Sequence, residues 1–492
     1  MNSLSILRVG ALLGLGATAT GQVFPTIPYT RTFDLFVADS FNSATLGEQE
    51  NIYRLSDLNQ DGDYLDAGEV LDFYADTATD LLNTPTGICC AVDGTVYVCD
   101  SSTDVILALR DANGDGDAND PGEAVVWFDS ATNGSGIALG AAQGMAQDAL
   151  GRFFVLTANQ GTTLVGVDGI VKLEDLNADG DANDAGEASY YFQVPNGTGA
   201  LGDSNPTEFA IAPDGSIYYG DIAGPATSPV VKGIYRIYDA NANGVIDPGE
   251  SSLTPWWIPT FVNAAWYGFA IDLVGNLYAC NHGSSSRRID RAFGDLDLSG
   301  SIDPAEQQQV YATAASATWW DLARRDDGAF LLLDGIPDAI TALVDLTADG
   351  DFSDPGEVTT VFDKNLVGLP NIDLRAMAFQ RAPRLAMTPA IVQIGQSTTF
   401  NLRTTKPFEL AVTAAALSFI PPFSLAPWGL LEIDPITAII FGVGISDAAG
   451  NYAYTLALAN DPSLIGAYGC QGLSGDGYRL FFSNSEQLTI TP

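Results

Sequence analysis

The chain is expected to be all-β, a six-bladed β-propeller followed by a C-terminal β-sandwich. Three observations point to this class. An acidic loop recurs six times, beginning at Asp57, Asp111, Asp175, Asp239, Asp295 and Asp345, with start-to-start spacings of 54, 64, 64, 56 and 50 residues, a structural repeat and not a scatter of motifs. Between the loops lie runs of four to eight apolar residues bounded by Gly, Asp, Asn and Pro, the pattern of strands and not helices. The two ends of the repeat region carry complementary parts of one unit.

Arg8, the short apolar run Val9 to Ala19, and the small residues Ala19 and Gly21 before Gln22 have the form of a signal peptide covering 1–21, which would place the protein outside the cytoplasm, secreted or at the cell surface. The run is too short for a bilayer span, and no later segment reaches 18 uninterrupted apolar residues. A buried element at the chain start is the alternative.

The repeat region is expected over 22–382. A unit reads as a Gly-apolar strand, an Asp-Gly turn, an aromatic-aliphatic strand ending in Asp or Asn, a third strand, the acidic loop and a fourth strand. The second unit runs TGICCAVDG, TVYVCDS, DVILALRD, its loop and AVVWFDS; the fourth runs EFAIAPDG, SIYYGDI, GIYRIYD, its loop and SLTPWWI. Four antiparallel strands repeated six times make a propeller. Phe33 to Asp39 matches the second strand of the other units, and the missing first strand appears after the sixth loop, at Asp373 to Gln380. Termini sharing one blade would remove free sheet edges. The loops then fall between the third and fourth strands of every blade. The acceptors ending the second strands, Asp39, Asp100, Asn159, Asp221, Asn281 and Asp334, are expected to cap nearby backbone amides. The remainder, 383–492, has no acidic loop and alternates in strands such as Ser397 to Arg403, as a small β-sandwich does.

Each loop presents oxygen at the alternation that wraps calcium, a hard cation taking six to eight oxygens. The copy formed by Asp239, Asn241, Asn243, Asp247 and Glu250, with Gly244 at the turn, resembles an EF-hand loop in full. Asp295, Asp297, Ser299, Asp303 and Glu306 follow it. Four copies are one residue longer: Asp57, Asn59, Asp61, Asp63, Asp66 and Glu69; Asp111, Asn113, Asp115, Asp117, Asp120 and Glu123; Asp175, Asn177, Asp179, Asp181, Asp184 and Glu187; Asp345, Thr347, Asp349, Asp351, Asp354 and Glu357. An insertion after the glycine shifts both late ligands together and leaves open the role of the added Asp63, Asp117, Asp181 and Asp351. Acidic surface turns are the alternative. The loops hold 27 of the chain's 61 acidic residues and no Lys or Arg. The net charge of −41 argues against nucleic acid or an anionic membrane as partner.

The pattern Gly-Ile-x-x-Ala-Val-Asp-Gly-x-Val-Tyr-Val-x-Asp, carried by the second unit, resembles NHL-repeat propellers. The resemblance implies six-bladed architecture and says little of activity. Two functions follow from different classes. One is a calcium-stapled, non-enzymatic protein recognising an extracellular protein or glycan, with Trp256, Trp257, Trp319 and Trp320 as candidate contacts or as packing between blades. The other is a hydrolase resembling the gluconolactonase and paraoxonase propellers, whose chemistry implies a central calcium held by acids from several blades; Glu208, Asp321 and Arg375 stand at first-strand starts, but that family's ligand set does not map onto this chain. His282 is the sole histidine, which excludes a His-rich zinc site. It is expected at the surface beside Ser284, Ser285 and Ser286. Of Cys89, Cys90, Cys99, Cys280 and Cys470, one of the first two would reach Cys99 across a hairpin, a vicinal bridge is rarer, and burial as free thiols is the alternative.

Overall fold

The computed structural model describes the chain from residue 34 to 492 except 42–49, 60, 77–80, 92–93, 113–114, 149–150, 159–167, 178, 195–203, 213, 223–231, 252–253, 259–264, 273–274, 283–286, 314–316, 326–327, 370, 381–383, 389–390, 404–409, 418, 426–428, 434–436, 447–450 and 476–479. The expected signal peptide lies outside the described residues.

Alternating apolar runs pair in sequence into antiparallel meanders. Five sheets have four strands: the second is built from Pro85–Cys90, Val96–Asp100, Val105–Leu109 and Ala124–Asp129, and the third, fifth and sixth repeat its order. In the first sheet the chain's ends meet: Leu374–Phe379 pairs with Leu35–Asp39, followed by Asn51–Leu55 and Val70–Ala75. The strand that sequence places after the sixth loop therefore closes the first sheet. Among the described residues the fourth sheet has three strands, with a bridge from Trp257 to Ile234 in place of a fourth. Its sequence there, Thr254-Pro255-Trp256-Trp257-Ile258-Pro259, has two prolines that cannot donate to a ladder.

The cores sit between sheets. Phe36, Ile52 and Phe73 of the first sheet pack with Ile88, Val98 and Leu107 of the second. Tyr97 and Trp127 of the second meet Phe153 of the third at ring separations of 4.3 and 4.8 Å. Further clusters join the third to the fourth, fourth to fifth, fifth to sixth and sixth back to the first. This cyclic face-to-face packing is a β-propeller, with the first strand of each sheet lining a central channel.

Trp256, Trp257 and Trp319 belong to these cores, so they do not offer exposed contacts; Trp320 alone of the four is half-buried. The cysteines are all buried and unbridged. Register explains why: Cys99 lies opposite Gly87, while Cys89 and Cys90 pair with Tyr97 and Val96.

Contacts divide the chain into two compact units, one spanning Asp34–Cys90 and Thr95–Phe379, the other containing Gln380–Pro492. In the latter, Ser397–Arg403 pairs with Arg384–Thr388 and Asn451–Ala457, and a second sheet is led by Leu410–Ala416, Gly466–Gly475 and Leu480–Thr491. Phe400 and Leu402 from one sheet pack on Ala411, Cys470, Leu488 and Ile490 from the other, which makes a sandwich.

Candidate functional site: acidic loops and central channel

All six loops fold by the same hydrogen bonds. The first carboxylate accepts the amide of the position-six glycine: Asp57 from Gly62 at 2.9 Å, Asp111 from Gly116 at 3.0, Asp175 from Gly180 at 3.1, Asp239 from Gly244 at 2.8, Asp295 from Gly300 at 2.7 and Asp345 from Gly350 at 2.9. These glycines have φ between 87° and 110°, which a side chain would strain. The closing glutamate spans each loop. Glu306, for example, accepts from Leu296 at 2.6 Å through Oε1 and from Asp303 at 2.9 Å through Oε2. Glu69, Glu123, Glu187, Glu250 and Glu357 repeat both bonds.

The longer loops resolve the role of the added aspartate. Asp63, Asp117, Asp181 and Asp351 each accept, through Oδ1, the amide two residues on, that of Leu65, Asn119, Asn183 and Ser353, at 2.8–2.9 Å. The inserted residue is thus absorbed as an Asx turn. It lies after position eight, three residues beyond the glycine, at Leu65, Asn119, Asn183 and Ser353.

Position eight fastens each loop to the sheet before it. The amide of Tyr64 donates to Val361 O of the sixth sheet, Ala118 to Phe73 O of the first, Ala182 to Trp127 O of the second, Ile246 to Tyr191 O of the third, Ile302 to Trp256 O beside the fourth, and Phe352 to Val310 O of the fifth, all at 2.7–2.8 Å. Six bonds complete one cycle around the propeller.

The donor set suits a divalent cation. Asp115, Asp117 and Glu123, and likewise Asp295, Asp297 and Glu306, bring carboxylate oxygens within 4.8 Å of one another. Five of the six closing glutamates are buried, and no base belongs to any loop. Buried Asp345 Oδ1 has no hydrogen-bond partner. Asn59 Nδ2 donates to Asp61 and Asp66, and Asn177 Nδ2 to Asp179 and Asp184. Each amide must turn to offer oxygen to an ion. Asn241 and Asn243 both donate to Asp247; Ser299 Oγ donates to Ser301 O and Thr347 Oγ1 to Glu357. Asn113 lies outside the described residues.

The second-strand acceptors cap amides as expected: Asp39 from Phe41 and Asp373, Asp100 from Asn83 and Thr84, Asp221 from Asn205, Asn281 from Ala265 and Asp334 from Thr318. Asn159 is not among the described residues. They tie each second strand to the segment entering the first.

The channel holds a second group that sequence reasoning named only in part. Every first strand carries a bulge after its opening residue. It presents two successive residues to the channel, giving one ring of Thr86, Gln143, Thr207, Tyr267, Trp320 and Arg375 and a next ring of Gly87, Gly144, Glu208, Gly268, Asp321 and Ala376. All but Gly268 line a cavity of about 300 Å³. Glycine is required where strands approach: a Cβ on Gly268 would stand 2.5 Å from Leu322 N, and one on Gly87 2.8 Å from Gly144 Cα. Burial, then the neighbouring Asp321 charge, pushes Glu208 well above the usual carboxylate range, and burial raises Asp321 to about 7. Arg375 stacks over Trp320 at 4.5 Å and pairs with Asp373 at 2.6 Å. His282 is half-buried and not superficial: its ring lies 4.9 Å from both Tyr267 and Trp320, Nδ1 is 3.2 Å from Trp319 O, and burial lowers its pKa. Ser284 to Ser286 are not among the described residues.

Fold and loops together define a β-propeller with an acidic loop repeated in every blade. No protein-family model matches the chain, and no curated protein matches it in sequence. Among solved structures it is similar to the PQQ-bound aldose sugar dehydrogenase of Streptomyces coelicolor, at 16% identity over 66% of this chain and 89% of that one, TM-score 0.39. It is also similar to virginiamycin B lyase from Staphylococcus aureus (11%, 76% and 95%, 0.36) and to a gluconolactonase from Xanthomonas campestris (14%, 68% and 89%, 0.36). At such values none of their chemistry carries over. No helix among the described residues is long and apolar enough to cross a membrane.

Proposed function

We propose that this chain is a secreted, calcium-binding β-propeller with a recognition role, in which ions bound by the six loops hold neighbouring sheets together. The observation that carries this reading is the cycle of position-eight bonds, each from a loop with the repeated acid pattern to the preceding sheet. The first, third and fifth positions with the late Asp and Glu would hold the ion, and the Asx-turn aspartates keep Oδ2 for it. Calcium supplies counter-charge to carboxylates that otherwise repel one another. Ordering the loop then orders its position-eight amide, so ion binding and sheet cohesion are linked. A rigid scaffold of this kind suits recognition of an extracellular protein or glycan. Calorimetry on chelator-stripped mature protein tests the reading: close to six ions with a raised melting temperature supports it, and fewer than two ions without stabilisation refutes it.

A second reading, a calcium-dependent hydrolase, is favoured by the convergence of Glu208, Asp321 and Arg375 on one cavity. It requires turnover of lactones or esters that Glu208→Gln abolishes, and an additional ion in the channel.

A further inference from the structure

We propose that the central channel binds a small organic cation, a primary amine bearing a short apolar or aromatic body, between Glu208 and Asp321. This stands on the channel alone and holds whether or not the loops bind calcium.

The six first strands contribute equivalent positions, so the ring can be compared residue by residue. At the inner ring four positions end at Cα or Cβ and two carry carboxylates, from the fourth and sixth sheets. At the adjoining ring one half is hydroxyl and amide, from Thr86, Gln143 and Thr207, and the other is aromatic and cationic, from Tyr267, Trp320 and Arg375. Tyr267 and Trp320 meet edge to face at 5.2 Å. The cavity therefore has an acidic pair beside an aromatic wall, the combination that receives an ammonium on one side and its carbon body on the other.

Ligand count argues against a hard metal ion here. Glu208 Oε1 accepts from Phe209 N at 2.8 Å, Asp321 Oδ1 from Leu322 N at 2.7 Å and Oδ2 from Met377 N at 2.8 Å. Three of the pair's four oxygens already accept an amide, and the ring's other four positions bring no side-chain oxygen. In the adjoining ring the Thr86 and Thr207 hydroxyls donate to Ala142 O at 2.6 Å and Trp266 O at 2.5 Å, which leaves few oxygens toward the six to eight that calcium takes. An ammonium needs two or three acceptors, and a carboxylate oxygen that accepts one amide retains a second lone pair.

Charge gives the same answer. Arg375 is committed to Asp373 and to Ser40 Oγ at 3.0 Å, and Arg324 lines the cavity without an ion pair among the described salt bridges to either acid. The Cys99 and Cys280 thiols behind the ring and the Tyr267 phenol are all pushed up by burial and stay neutral near pH 7. Glu208 and Asp321, both raised, thus hold a proton between them close to neutrality. A cation takes that proton's place, so binding should release it.

The test is titration calorimetry on the full chain in calcium at pH 7, with benzylamine, putrescine and the neutral benzyl alcohol as probes, repeated in two buffers of different ionisation enthalpy. We expect one site for each amine, benzyl alcohol weaker by about tenfold or more, and an equal loss for the amines in Glu208→Gln. Proton release should be larger at pH 6 than at pH 8. Melting temperatures of Glu208→Gln and Asp321→Asn close to the parent establish that the variants fold; if either melts lower, the buffer-dependent proton release of the parent decides. Benzyl alcohol binding as tightly as benzylamine, amine affinity unchanged when Glu208→Gln and Asp321→Asn are combined, no heat from either amine, or loss of a calcium ion on Glu208→Gln would each overturn the proposal.

Discussion

Replacing Glu306 by Gln separates the ion's contribution from that of the loop's own hydrogen bonds. In the parent, Oε1 accepts from Leu296 and Asp297 and Oε2 from Asp303. Glutamine keeps one oxygen and turns a donor toward one of those amides, which costs about 1–3 kcal/mol for the unmet group. That loss appears with or without calcium. A site filled at a hundred times its dissociation constant adds about 2.7 kcal/mol, and on the proposed reading Glu306, closing the loop beside Asp295 and Asp297, would be needed for it. The expected result is therefore a modest loss in chelator and a loss larger by about 2–3 kcal/mol in calcium, with one fewer ion bound. Denaturant unfolding in both conditions, alongside calorimetric stoichiometry, makes the comparison. Equal losses in chelator and calcium with unchanged stoichiometry would refute the reasoning.

Three more predictions concern the fold itself. Gly268→Ala should destabilise it by about 1–3 kcal/mol, because the added methyl meets backbone of the next strand, Leu322 N at 2.5 Å and Asp321 C at 2.7 Å, and neither can swing aside; an unchanged melting temperature contradicts that geometry. Burial raises the Asp39 carboxyl from an ordinary 3.8 to about 7, so the folded state keeps a proton that the unfolded state has lost. Stability from this group is complete below the unfolded value and is lost as pH rises through about 7, and Asp39→Asn, which retains an oxygen for the amides of Phe41 and Asp373, should flatten that part of the melting curve against pH in chelator. All five thiols are buried and unbridged, with Cys99 pushed up to about 12, so a thiol reagent should leave the native protein unlabelled and modify five sites after unfolding.

How much of this was legible in sequence depends on what each feature is made of. The loops are legible because side-chain oxygen must recur at fixed spacing, and the ring closure because Phe33 to Asp39 and Asp373 to Gln380 each keep half of a two-strand alternation. The position-eight contacts were not: Tyr64, Ala118, Ala182, Ile246, Ile302 and Phe352 share only apolar character, from Ala to Tyr in size, which marks burial but not the bond, since the backbone amide makes it. The channel was legible only as separate candidates. Glu208 and Asp321 are 113 residues apart, and their meeting follows from a bulge repeated in every first strand, which no single strand's alternation reveals. Of the four tryptophans read as contacts or as packing between blades, three proved to be packing, because paired aromatics fill the space between sheets as readily as they serve a surface. His282 was misplaced for the same reason, its ring packing with Tyr267 and Trp320.

Amide hydrogen exchange at Tyr64, Ala118, Ala182, Ile246, Ile302 and Phe352, measured with calcium and with chelator, tests the central claim most directly. If ions in the loops fasten each sheet to its neighbour, calcium should slow exchange at these six amides more than at amides inside the same sheets. Equal exchange in the two conditions would contradict it.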